Sequence, residues 1–256
     1  MTILRRFHKP LLWLALVIPI LSACSPLPVT MPDVVPVATQ IPATVTAVDA
    51  SQSGWWRVAY HLQWDEGEEP LWHLDTLIAH RVVKPVLDSL AGEIKVWRFH
   101  RRAARDAAGH QFSFIFYSTN ATAKKLYALL GDSDVVQVLK KQGMIERLSF
   151  SDINTNRQPG IGDTSDKVWA EVLQQTWPYF IMGVSQTWLG LIDKIDAQKK
   201  LPNALSITEQ IERYQLLNVT LNELWEQQGG HAFLHHLNAI FGYQELFVYE
   251  RKRARY

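Results

Sequence analysis

The sequence predicts an α+β fold, a four-stranded antiparallel sheet followed by a helical C-terminal region. Three observations predict it. Aromatic and polar residues alternate with a period of two in residues 55–64, 93–102 and 110–118. Apolar residues recur at helical spacing between the first and second of these runs, and again after the third. From about residue 165 onward the apolar pattern is helical throughout.

Trp56, Val58, Tyr60, Leu62 and Trp64 fall on one side of the first strand, with Arg57, His61 and Gln63 on the other. Pro70 opens a helix carrying Leu71, Leu74, Leu77, Ile78, Val82 and Val86, which Gly92 stops. In the second strand Trp97 and Phe99 stand opposite Arg98, His100 and Arg102. A turn at Asp106 and Gly109 leads to a third strand with Phe112, Phe114 and Phe116 on one face. Asn120 is the expected cap of a helix bearing Leu126, Leu129 and Leu130; a short helix over 135–141 and a strand over 144–150 follow. The element order is β-α-β-β-α-β, the ferredoxin-like split β-α-β arrangement. Both helices are expected on one sheet face.

The helical region, 151–256, is expected to pack on this 54–150 segment. After a connector with Pro159, Gly160 and Gly162, one apolar stripe runs from Trp169 through Val172, Leu173 and Trp177 to Ile181, Val184, Trp188, Leu191, Ile192 and Ile195. Pro178 is expected to kink or restart that helix. Ser206 and Glu209 have capping-box spacing. Their helix carries Ile211, Tyr214, Leu217, Leu221 and Trp225 and is expected to end at Gly229-Gly230, with a last helix from His231.

The N-terminus has a different character. Residues 1–9, with Arg5, Arg6 and Lys9, are basic, and residues 10–20 are apolar but shorter than the roughly 20 residues a spanning helix needs. Leu21-Ser22-Ala23-Cys24 follows. This plan resembles the lipobox of bacterial lipoprotein precursors. The resemblance implies a signal peptide over 1–23, lipidation of Cys24, and membrane anchoring through it. Ser25 after the cysteine implies transfer to the outer membrane, facing the periplasm. Cys24 is the single cysteine, so no internal disulfide is possible. Residues 24–53, rich in Pro, Thr and Val, read as a semi-extended tether.

A hydrophobic content of 47% predicts a sizeable core. Removing residues 1–23 leaves 23 basic against 25 acidic residues, a balance that argues against nucleic acid as a partner. No G-x-S-x-G, G-x-x-x-x-G-K or G-x-G-x-x-G run is present, and no cofactor is implied.

If the aromatic rows face the helices, the opposite sheet face collects Arg57, His61, Arg98, His100, Arg102, Ser113, Tyr117 and Arg147. Charge-assisted hydrogen bonds from such a surface would hold a carboxylate or phosphate. The competing reading is a solvated face, or one whose arginines pair with acids of the C-terminal helices. His231 and His235, four apart, have the spacing of two ligands to one metal, with His236 expected on another face. His73 and His80, about 10 Å apart along a helix, suit one ion poorly, and Asp75 lies between them. Trp55 and Trp72 are candidates for lining a surface pocket. The run Trp97–Tyr117, with Gly229-Gly230 late in the chain, is similar in outline to the C-terminal domain of lanthipeptide dehydratases and thiopeptide-type biosynthesis proteins. That similarity carries no activity or residue role to this chain.

The expectation is a lipid-anchored envelope protein acting as a non-enzymatic binding or assembly module, with an envelope protein as partner. The alternative is an enzyme or receptor for an anionic small molecule or peptide at the Arg/His sheet face.

Overall fold

The computed structural model describes residues 53–155, 157–198 and 205–245. The expected signal peptide, Cys24 and all of the tether except Ser53 lie outside the described residues. The fold is α+β, a four-stranded antiparallel sheet with helices. The strands are β1 (Ser53–Leu62), β2 (Val96–Ala103), β3 (His110–Thr119) and β4 (Ile145–Phe150), in spatial order β2-β3-β1-β4.

Cross-strand register stacks the aromatic rows on one face. Trp97 and Trp56 flank Phe116, Phe99 and Val58 flank Phe114, and Tyr60 lies opposite Phe112. Against this face pack α1 (Trp72–Ile78), α2 (Lys84–Ser89), α3 (Asn120–Gly131) and α4 (Asp134–Lys141). Leu74, Leu77, Ile78, Leu126, Leu130 and Leu139 are fully buried there, each stabilising the fold by roughly 2 kcal/mol through apolar burial.

The first helix is not uniform. A π-helical stretch, Ala79–Val83, joins α1 to α2. Pro85, at the start of α2, supplies no N–H to the preceding turn, and a wider turn accommodates that gap. The cap of α3 is Thr119 rather than the expected Asn120. The Thr119 hydroxyl accepts from the Thr122 N–H, and the Asn120 side chain instead donates to the Ile153 carbonyl.

Of the C-terminal elements, α5 (Glu171–Gln198) continues through Pro178 without restarting there. Pro178 cannot donate to the carbonyl of Gln174, and Ser165 Oγ donates to it instead at 2.8 Å. The orphaned acceptor is satisfied and the helix continues. The second half of α5 lies along the edge strand β2: Ser185 Oγ accepts from the outward-facing Phe99 N–H at 3.1 Å, and Trp188 meets Phe99 edge to face. The open rim of the sheet is thereby capped.

Helix α6 (Ile207–Leu224) begins with the expected capping box between Ser206 and Glu209. It packs on α1 and the π-helical stretch after it, where Tyr214 and His80 share a 2.6 Å hydrogen bond and Thr76 donates to Asn218. It does not stop at Gly229-Gly230. A π-helical segment, Trp225–His235, carries the helix through the glycine pair into α7 (His236–Ile240). A Cβ on Gly229 would stand 2.6 Å from the Trp225 ring, so a larger residue there would displace that indole.

Candidate functional site

The face of the sheet turned away from α1–α4 is built in rows by strand register. One row reads Arg102, Gln111, His61, Arg147; the next His100, Ser113, Ala59, Ser149; then Arg98, Ile115, Arg57; then Val96, Tyr117, Trp55. Every sequence-selected basic residue of the face is in these rows, together with Ser113 and Tyr117.

The rows do not form one open surface. At the Trp55 end the connector folds over the sheet. The Trp55 indole N–H donates to the carbonyls of Gly160 and Ile161, and the Tyr117 hydroxyl donates to the Pro159 carbonyl at 2.6 Å. Ile161 and Met182 pack onto Trp55, Val96 and Tyr117 as a small second core. Arg98 is drawn into the same cover. Its guanidinium lies 5.2 Å from the centre of the Trp177 ring and donates to Thr164, and burial pulls its pKa down to about 10. Trp55, Arg98 and Tyr117 therefore do structural work beneath the connector.

The remaining half stays open. Arg57, His100 and Arg147 are exposed, and His61 is half-buried. His61 receives hydrogen bonds from Gln111 and Arg147, and contacts the Ser149 hydroxyl. Its pKa is lowered by partial burial, then by Arg147 and Arg57; that of His100 is lowered by burial, then by Arg98, Arg102 and Arg57. Arg102 is paired with Asp106 by two hydrogen bonds. Among the described residues, Arg57, Arg98 and Arg147 make no ion pair with an acid, so the expected pairing with C-terminal helix carboxylates does not occur.

The histidines of the C-terminal segment come together differently from their expected arrangement. His231 and His235 stack with centroids 5.2 Å apart and planes 13° from parallel, so their in-plane nitrogen lone pairs do not converge on one ion. The π-helical turn also brings His236 to 5.4 Å from His231, where a regular helix would turn it away. Among the described residues no group of three or more His, Cys, Asp or Glu side chains is placed to hold a metal.

A second cluster lies on the helix side of the sheet. Arg101, in the same alternation as Trp97 and Phe99, points into the core. Asp75, wholly buried on α1, takes its Nε at 2.8 Å through one carboxylate oxygen. The other oxygen of Asp75 is 3.1 Å from Nε2 of the buried His110. Arg101 Nη2 donates to the Trp72 carbonyl, and the guanidinium is flanked by the rings of Trp72 at 5.1 Å and Trp188 at 4.9 Å. Outside this assembly is a cavity of about 360 Å³ lined by Trp72, Arg101 and Asn222. Trp72 is thus the pocket-lining tryptophan of the two proposed from sequence. His80 contributes elsewhere, bridging Tyr214 and Asp193, so His73, Asp75 and His80 do not converge.

Sequence reasoning passed over Arg101 and His110, although strand alternation carried a signal for both. Arg101 shares the parity of Phe99, and His110 that of Phe112. A charge on the buried parity of a strand requires a buried partner, and Asp75 is the acid on the inner face of α1.

No family model, no curated protein and no solved structure matches this chain.

Proposed function

We propose that the chain is a lipid-anchored protein of the cell envelope, held through Cys24 at the outer membrane facing the periplasm, and that its folded body is a non-enzymatic binding or assembly module. The anchor rests on the order of basic, apolar and lipobox residues at the N-terminus. Among the described residues no helix is long and apolar enough to cross a membrane.

One observation carries the assembly reading. Val172, Leu173, Tyr179, Phe180 and Val184 are exposed on α5, and their spacings of four and seven residues put them along one side of the helix. Leu216 and Val219 on α6, and Trp225, Leu234, Ile240 and Phe241 beyond it, are exposed as well. Large apolar side chains in such number on a folded surface are characteristic of association sites. The acid–imidazole pair Asp75–His110 is closed to solvent, which supports a structural rather than a catalytic use.

We further infer that the sheet and α1–α4 form a ferredoxin-like unit. Antiparallel neighbours throughout, and the order β4-β1-β3-β2 when counted from the other edge, support it. The fold hosts many functions and does not by itself narrow this one.

The alternative, an anionic small molecule or peptide held at the open sheet face, is favoured by the cluster of Arg57, His61, His100 and Arg147, which make no ion pair among the described residues.

The leading reading is tested in membranes from cells producing the wild type or the double variant Phe180→Glu/Val184→Glu. On native electrophoresis after mild solubilisation, the wild type is expected in a complex larger than the single chain, and the variant outside it. A wild type that migrates alone overturns the assembly role. Cys24→Ser is expected to leave the membrane fraction; unchanged association and processing overturn the anchor.

A further inference from the structure

We propose that the cavity between α1, β2 and α6 binds a small carboxylate, gripped by the outer edge of Arg101 and the amide of Asn222 against the indole of Trp72. This site is separate from the sheet face and does not depend on the anchor.

The geometry builds a prepared donor. Arg101 is fixed on its inner side by Asp75 at Nε and by the Trp72 carbonyl at Nη2. Its plane is held between two indole rings. Nη1 makes no hydrogen bond among the described residues, and the side chain retains 28% exposure, toward a cavity that it lines. A guanidinium immobilised in this way loses little freedom on binding, and its planar fork matches a carboxylate.

The charges are compatible with that ligand. Asp75 is wholly buried, one oxygen on Arg101 Nε and the other 3.1 Å from His110 Nε2, so it presents no exposed carboxylate to a ligand. The outer wall offers N–H donors from Arg101, the Asn222 amide and an aromatic surface, with no carboxylate among the lining residues. The site, of about 360 Å³, is an open depression that a small ligand can enter directly from solvent. A single guanidinium edge suits a monoanion with a flat apolar body better than a multiply charged phosphate, which draws several cations.

The test uses the full chain in detergent, with sodium benzoate as probe and benzamide and inorganic phosphate as controls, read by the indole N–H resonance of Trp72. Benzoate is expected to shift that resonance with a Kd of roughly 1 mM or below. Arg101→Lys, which keeps the charge but loses the fork, is expected to weaken binding at least about tenfold. Because Arg101 variants perturb a buried ion pair, Asn222→Trp is the second arm. Asn222 is exposed, and the indole is expected to fill the cavity and abolish the shift while the melting temperature holds. No response to benzoate overturns the proposal, as does equal affinity for benzamide, or retention of binding in folded Asn222→Trp. Phosphate binding as tightly as benzoate overturns the carboxylate assignment.

Discussion

Asp75 and Arg101 meet at 2.8 Å, with the carboxylate wholly buried and the guanidinium bridging core and solvent. Removing one member of a buried pair strands the other charge, at a cost of about 3–5 kcal/mol. Asp75→Ala is therefore expected to lower stability by that amount, as measured by denaturant unfolding, because Arg101 loses its carboxylate acceptor. A loss below about 1 kcal/mol would place this pair with exposed ion pairs, whose contribution is that small.

The two faces of the sheet should respond in a graded way. Trp97→Ala and Phe99→Ala are expected to cost about 3–5 kcal/mol each, since both side chains pack in the main core. Arg57→Ala and His100→Ala, on the open half of the opposite face, should fall within about 0.5 kcal/mol of wild type. Arg98→Ala belongs between them, at about 1 kcal/mol, because its guanidinium lies on Trp177 beneath the connector. Thermal melts of the five variants check the order, and equal destabilisation by Arg57 and Phe99 variants would contradict it.

Ser165→Ala is expected to destabilise the chain by about 1 kcal/mol by leaving the Gln174 carbonyl without its donor. Adding Pro178→Ala restores an N–H for that carbonyl, so the Ser165 effect should shrink in the double variant. A double-mutant cycle measures the coupling, and strict additivity would show that the two sites are independent.

His80, nearly enclosed between Tyr214 and Asp193, has its pKa lowered chiefly by burial, the Asp193 hydrogen bond opposing. The unfolded chain then binds the imidazole proton more readily than the folded one. Its contribution is present above the ordinary imidazole value of about 6.5 and is lost as pH falls below it. His61, His73 and His100 shift in the same direction, so the melting temperature should fall between about pH 7 and pH 5. His80→Gln should make that fall shallower; an unchanged slope would remove His80 from the account.

Much of this architecture was legible because the relevant physics is local. Alternation assigned Trp56, Val58, Tyr60, Phe112, Phe114 and Phe116 to one face, and helical spacing found the buried leucines of α1 and α3, since burial of large apolar groups outweighs the other terms. The capping box at Ser206 needs only its neighbour three residues on. Failures came where another side chain meets a local defect. Pro178 breaks a helix unless Ser165 supplies the missing donor. Gly229 ends a helix unless a ring must pack on the backbone.

By itself the sequence determined the α+β class, the inward aromatic rows of β1, β2 and β3, the single cysteine after an apolar run and the absence of familiar nucleophile and phosphate-loop motifs. These follow from residue types at short separations. Only the tertiary structure decided that the connector would cover Arg98 and Tyr117 while leaving Arg57, His61, His100 and Arg147 open. It also decided that Asp75, Arg101 and His110 would share one buried site beside a cavity. The reason is that an ion pair in the core depends on three-dimensional proximity: Asp75 and Arg101 are 26 residues apart, and no spacing rule spans that distance. Folding brings them together because the sheet and helices must bury their apolar faces, and the charges on those faces are stable there only as partners.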